Sequence, residues 1–199
     1  MSGTITVCLM RHAKSDWDDP ALGDHDRPLN ARGRRDAPRM ARWLAGRGFL
    51  PEVILGSTAV RVRQTIEGLL SVWTHDPLVL FSQSLYLASA STLREHLVCE
   101  AVGRDGRRPR AVMLIAHNPG IESLTSQWVG VPTRMSTAAV AIFRCEAFRP
   151  DDLAGPRVRD VIEVARPKEI VLDGESGAAG DGDGDDDGTD RHSRRRDRR

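Results

Sequence analysis

Short apolar runs alternate with amphipathic stretches along most of the chain. Ile5–Met10 is mostly apolar and suits a buried strand. Residues 31–48 then place Met40, Trp43 and Leu44 at helical spacing and end at Gly46 and Gly48. Asn30 is placed to cap that helix, and Pro38 is expected either to kink it or to mark its true first turn. Val53–Leu55 reads as a second strand, Ala59–Val72 as a second helix and Leu78–Phe81 as a third strand. Ser91–Val102 follows as a helix with Ser91 as its expected cap. Ala111–Ala116 is the clearest central strand, with a helix around Ile121–Trp128 behind it. Ala138–Phe143 and Val158–Val164 predict two more strands, the second alternating in the way that suits a sheet edge. No internal repeat is visible. Strands alternating with helices imply an α/β fold, a three-layer α/β/α sandwich around a mainly parallel sheet.

The pattern stops near Asp173. Gly174–Gly188 is mostly Gly, Asp, Ala and Ser, and Arg191–Arg199 is basic, so residues 173–199 can build no apolar face. The expected organisation is one domain over 1–172 and a disordered tail, acidic then basic, over 173–199. That tail either touches a partner or the basic core, or is simply solvated.

Composition narrows the class only a little. Of the 199 residues, 40% are hydrophobic and 29% charged, an ordinary globular balance. No run approaches the roughly 20 apolar residues of a membrane span, and Ile5–Met10 is too short for a signal peptide. A cytoplasmic protein without a membrane partner is expected. Cys8, Cys99 and Cys145 are odd in number and widely spaced, which predicts buried free thiols and no disulfide framework. The net charge of +1 conceals a tail with six arginines against nine carboxylates, leaving 23 basic and 19 acidic side chains in residues 1–172. So mild an excess, with no continuous basic stripe, suits an anionic ligand and argues against a nucleic-acid partner.

Ligands of such sheets collect at the carboxyl ends of the strands. Three ends carry unusual polar residues here. The first strand ends in Arg11-His12. The second ends in Gly56-Ser57-Thr58, with Arg61 one turn into the next helix, and the Ala111–Ala116 strand ends in His117-Asn118-Pro119-Gly120. If these strands are neighbours, two imidazoles and two guanidinium groups converge beside helix N-termini, a pocket suited to a dianionic tetrahedral group. His12 and His117 lack a third clear partner for zinc, so no metal is expected.

These segments resemble a known family. Leu9-Met10-Arg11-His12-Ala13-Lys14-Ser15 is similar to the Arg-His-Gly signature of the histidine phosphatase (phosphoglycerate mutase-like) superfamily, and most of all to its SixA-type phosphohistidine phosphatase branch. Asp26-Arg27-Pro28-Leu29-Asn30-Ala31-Arg32-Gly33 resembles that branch's Arg-Pro-Leu-Thr…Gly segment. Ser57-Thr58-Ala59-Val60-Arg61-Val62-Arg63-Gln64-Thr65 resembles Ser-x-x-x-Arg-x-x-Gln-Thr, and Ala116-His117-Asn118-Pro119 the segment of the second histidine. Arg166-Pro167-Lys168-Glu169-Ile170 looks like the way such domains finish, so the resemblance spans residues 4–172 in order.

The resemblance implies a phosphoglycerate mutase-like fold, His12 as nucleophile, and Arg11, Arg61 and His117 holding the phosphoryl oxygens. It implies Arg27 as a further substrate contact, and no cofactor. The chemistry is coherent. A neutral imidazole is a nucleophile near pH 7, and a backbone carbonyl at its other nitrogen would fix its tautomer. Positioned cations then stabilise charge on the equatorial phosphoryl oxygens. A protonated His117 would add a donor.

One departure matters. Most of the superfamily carries an acid after the third strand, whereas Ser84-Leu85-Tyr86-Leu87-Ala88-Ser89 has none before Glu95. An imidazole that already carries a ring proton leaves as a neutral species without help, so the gap favours phosphohistidine over an ester. Asp16, Asp18 and Asp19 are the expected substitutes if an acid is used. The connection from Ser82 to Arg110 holds one predicted helix, too little for a lid, which suits a phosphohistidine-bearing protein as partner and a monomeric enzyme. The alternatives are a phosphatase of small phosphate esters or sugar phosphates, and a non-catalytic phosphate-binding adaptor.

Overall fold

The computed structural model describes residues 4–99, 107–146 and 157–172. The tail from 173 and the last three residues of the Ser91–Val102 helix lie outside these. Six strands form one sheet: β1 Thr4–Arg11, β2 Val53–Ser57, β3 Leu78–Ser82, β4 Ala111–Ala116, β5 Val140–Glu146 and β6 Val158–Ala165, in the order β3-β2-β4-β1-β5-β6. The β3-β2-β4-β1 part is parallel throughout, while β5 pairs antiparallel with both β1 and β6. β6 takes the edge, as its alternating pattern predicts.

Side chains of a strand alternate between faces, so β1 divides its residues between two cores. Cys8 and Met10 join Met40 and Leu44 of α1 (Ala31–Gly46) and Ile66 and Leu69 of α2 (Val60–Leu70). Val7 and Leu9 join Leu93 and Leu97 of α3 (Ala90–Cys99) and Ile121 and Leu124 of α4 (Gly120–Val129). Helices therefore cover both faces, and β4 lies between its neighbours with Val112–Ala116 wholly buried. Truncating a fully buried leucine such as Leu114 to alanine costs about 2–5 kcal/mol.

Several boundaries move for physical reasons. α1 begins at Ala31 and runs through Pro38, which sits against Gly68 of α2; Pro38 neither starts the helix nor ends it, because helix packing outweighs the missing N–H bond. Asn30 does cap it, its Oδ1 accepting from Gly33 N–H at 2.9 Å. α3 starts at Ala90, so its cap is Ser89, whose Oγ accepts from Thr92 N–H, and not Ser91. β5 starts two residues late because Ala138 takes a left-handed φ of 60°. There its N–H donates to the carbonyls of Arg11 and His12, closing the sheet onto the β1 end. Cys8 and Cys145 are buried, but Cys99 is exposed, contrary to expectation. Among the described residues no helix is long and apolar enough to cross a membrane.

Candidate active site

Because β2, β4 and β1 are adjacent and parallel, their carboxyl ends fall side by side. A cavity of about 530 Å³ opens there, and Arg11, His12, Arg61, His117 and Arg27 all line it. The imidazole rings lie 5.0 Å apart between centroids, and both histidines are buried with Arg61 and Arg27.

His12 is aimed by backbone. Its Nδ1 lies 2.8 Å from the Ala13 carbonyl, which only accepts, so Nδ1 carries the proton and Nε2 keeps a lone pair. Arg61 Nε–H donates to that lone pair at 3.3 Å. Burial, then His117, Arg61 and Arg11, hold the ring well below the usual histidine range, so it is neutral and nucleophilic at pH 7.

Arg61 ties the two histidines together, its Nη2–H groups donating to His117 Nδ1 at 3.2 Å and to Asp24 Oδ2 at 2.9 Å. Since His117 Nδ1 accepts, its Nε2 holds the proton and donates to Ser57 Oγ at 2.6 Å. Burial and Arg61 push His117 down to about 3, so the ring is neutral in the unliganded site. A phosphoryl dianion beside it would raise that value and favour the donor form.

The carboxylates lining the cavity are Asp24, Glu122 and Glu169, not Asp16, Asp18 or Asp19, and Asp24 is the one paired with Arg61. Asp16, Asp18 and Asp19 lie outside it. Asp16 and Asp19 instead fold their own loop by accepting from Asp18 N–H and Ala21 N–H, each at 2.9 Å. Asp24 sits in a 3-10 turn, Asp24–Asp26, and accepts from Arg61, from Arg27 Nη1–H at 2.8 Å and from the Tyr86 hydroxyl at 2.5 Å. Burial alone would raise its pKa, but Tyr86, Arg61 and Arg27 outweigh burial and hold it down to about 2. Arg27 is spread over four contacts. It donates to the Asp16 carbonyl, Asp24 and Ser15 Oγ, and stacks 3.1 Å from the centre of the exposed Trp17 ring. It shapes the loop over the cavity as much as it faces a ligand.

Sequence reading passed over Asp24, Tyr86 and the roles of Ser57 and Thr65. Thr65 Oγ accepts from Ala13 N–H at 3.0 Å and donates to the Arg61 carbonyl at 2.7 Å, bracing the nucleophile loop against α2. Gln64 accepts from Leu29 N–H at 2.7 Å in the same way. Gly33 is required by closeness, since a Cβ there would stand 2.2 Å from the Lys14 carbonyl oxygen. A Cβ on Gly120, behind His117, would stand 1.9 Å from the Ala88 carbonyl oxygen. Glu122 Oε2 accepts from Asn118 Nδ2 and Met135 N–H, and Arg11 donates to the Met135 carbonyl, so one loop is fixed to both histidine-bearing ends. Among the described residues no cluster of three or more His, Cys, Asp or Glu is arranged for a metal ion.

Comparisons with known proteins bear on the family and the fold. The profile of the histidine phosphatase superfamily (branch 1) matches residues 7–80. An uncharacterized chloroplastic protein of Arabidopsis thaliana is 33% identical over 165 residues, covering 75% of this chain and 72% of that one. The structure of a protein from Agrobacterium tumefaciens assigned as the phosphohistidine phosphatase SixA superposes with a TM-score of 0.65. It is 26% identical, over 82% of this chain and 99% of that one. A mycobacterial glucosyl-3-phosphoglycerate phosphatase shares the fold, with a TM-score of 0.55 and 19% identity over 79% of this chain and 97% of that one. With its phosphoglycerate mutase-like fold, the chain belongs to the histidine phosphatase superfamily, on the SixA-like branch, and is a phosphatase.

Proposed function

We propose that the chain removes the phosphoryl group from phosphohistidine, in two steps through His12. The single observation carrying this reading is the pairing of an activated nucleophile with an ionised carboxylate, Asp24, on the same arginine. His12 offers a lone pair at Nε2, yet Asp24, the carboxylate that shares Arg61 with it, is ionised down to about pH 2. An alkoxide leaving group needs a proton that Asp24 cannot give, whereas a protonated imidazole leaves neutral.

In the first step Nε2 attacks phosphorus in line, with Arg11, Arg61 and His117 around the equatorial oxygens. The P–N bond to the substrate breaks and its electron pair stays on the departing ring. Arg61 turns from Nε2 to a phosphoryl oxygen as the new P–N bond forms. In the second step water attacks the phosphohistidine of His12, Nε2 recovers its pair, and the Ala13 carbonyl keeps the Nδ1 proton in place throughout. Release of phosphate from a phosphohistidine protein, compared with release from a sugar phosphate at equal concentration, tests the reading. A clear preference for the protein supports it, and a preference for the sugar phosphate contradicts it.

A second reading, hydrolysis of a small phosphate ester, is favoured by the cavity's size and by the cationic side chains around its mouth, Lys14, Arg32, Arg134 and Lys168. These would suit a metabolite with a second anionic group. The ionised Asp24 weighs against it.

A further inference from the structure

Asp24 is a carboxylate placed where an enzyme that binds phosphate dianions has most reason to avoid one. It shares Arg61 with the nucleophile, so one guanidinium group separates its Oδ2 from His12 Nε2. Its side chain is 45% exposed and lines the cavity, so it faces the incoming substrate. Three of the roughly four lone-pair sites of a carboxylate are taken, two on Oδ2 by Arg61 and Tyr86 and one on Oδ1 by Arg27, leaving Oδ1 one acceptor site. If the only task were to hold Arg61, the backbone carbonyl of Asp24, which already accepts from Arg61 Nη1, would share it without adding a negative charge.

We infer that Asp24 is the acceptor for the leaving imidazole: its free Oδ1 site takes the N–H at the ring nitrogen remote from phosphorus. This rests on the phosphohistidine reading above and names the group that recognises that substrate. In-line transfer sets the departing nitrogen on the side of phosphorus away from His12 Nε2, and the remote nitrogen farther out still, toward the cavity mouth. A carboxylate there favours the ring form that carries a proton at that nitrogen and aims it, as a carboxylate does for imidazole in hydrolase triads. When the P–N bond breaks, the electron pair goes to the nitrogen that bore phosphorus. The remote nitrogen keeps its proton, and a neutral imidazole departs with no proton transferred. The charged and titratable groups around Asp24 are Arg61 from α2, His117 from the end of β4, Arg27 from its own loop, Tyr86 from the segment after β3, and the neighbouring His25 and Asp26. The depressed pKa of Asp24 suits an acceptor and excludes a donor.

The test is a ratio. kcat/KM is measured for a phosphohistidine peptide and for p-nitrophenyl phosphate, whose leaving group departs without a proton, in the wild type, Asp24→Asn and Asp24→Glu. Asp24→Asn is expected to reduce the phosphohistidine value at least about tenfold more than the aryl phosphate value, and Asp24→Glu to restore part of the ratio. Tungstate binding and a thermal melt show that each variant is folded with its anion site formed; if Asp24→Asn does not fold, the ratio for Asp24→Glu decides alone. Equal losses on both substrates would mean that Asp24 only positions Arg61, and would overturn the inference. A wild type that cleaves the aryl phosphate but not the peptide would instead overturn the phosphohistidine reading, and this inference with it.

Discussion

The carboxyl ends of β1 and β4 each present a buried histidine to the same cavity, and the two are wired differently. At the β1 end the ring is fixed by the neighbouring Ala13 carbonyl, which cannot move away from it and leaves Nε2 open to chemistry. At the β4 end both nitrogens go to side chains from β2 and α2, Ser57 and Arg61, so that ring is held as part of a side-chain polar network. A backbone anchor suits a group that must form and break a bond with one nitrogen and keep its proton on the other. A side-chain network suits a group that exchanges hydrogen bonds as an anion arrives. Residue type alone does not separate nucleophile from clamp; the partner of the second nitrogen does.

That contrast is broken most severely at β1. His12→Ala should lower kcat by about 10³-fold or more and abolish any covalent phosphoenzyme, as read by single-turnover kinetics. Arg61→Ala strikes both ends at once and should cost about 10²–10³-fold in kcat/KM, with Arg61→Lys recovering little because a point charge cannot span His12, His117 and Asp24. His117→Ala should cost about 10²-fold yet still form phosphoenzyme, which distinguishes clamp from nucleophile. Ser57→Ala removes a single bond to His117 and should cost about 1 kcal/mol, roughly fivefold, in the steady-state rate. A separate effect, on stability and not on rate, comes from the same two rings. Both histidines are held below their ordinary 6.5, so the unfolded chain binds more protons than the folded one as pH falls. Stability should therefore decline from about pH 6.5 toward pH 3, by at most about 1.4 kcal/mol per pH unit per histidine, and Asp24 should add to the loss as pH falls toward 2. Urea melts should show a shallower decline for His117→Asn.

Much of this was legible from periodicity. The ten strands and helices follow from apolar runs of the right length, and the parallel core of the sheet places Arg11, His12, Arg61 and His117 together without further information. The 3-10 turn that carries Asp24 was not legible, because Asp24-His25-Asp26 reads as one more charged loop beside Asp16, Asp18 and Asp19. Its placement depends on Arg27 reaching back to Ser15 and Asp16, a tertiary contact with no sequence period. The charge state of His117 was likewise set by burial and by Arg61, which only the folded packing supplies. Pro38, Leu87 and Ala138 mark places where packing overrides a local rule.

The central claim is that the phosphoryl group passes through Nε2 of His12. It is tested most directly by quenching the enzyme during turnover of a radiolabelled phosphohistidine protein and mapping the acid-labile label by peptide digestion. The account predicts label on the peptide containing His12, present in His117→Ala and absent in His12→Ala. Label on the His117 peptide, or undiminished phosphate release by His12→Ala, would contradict it.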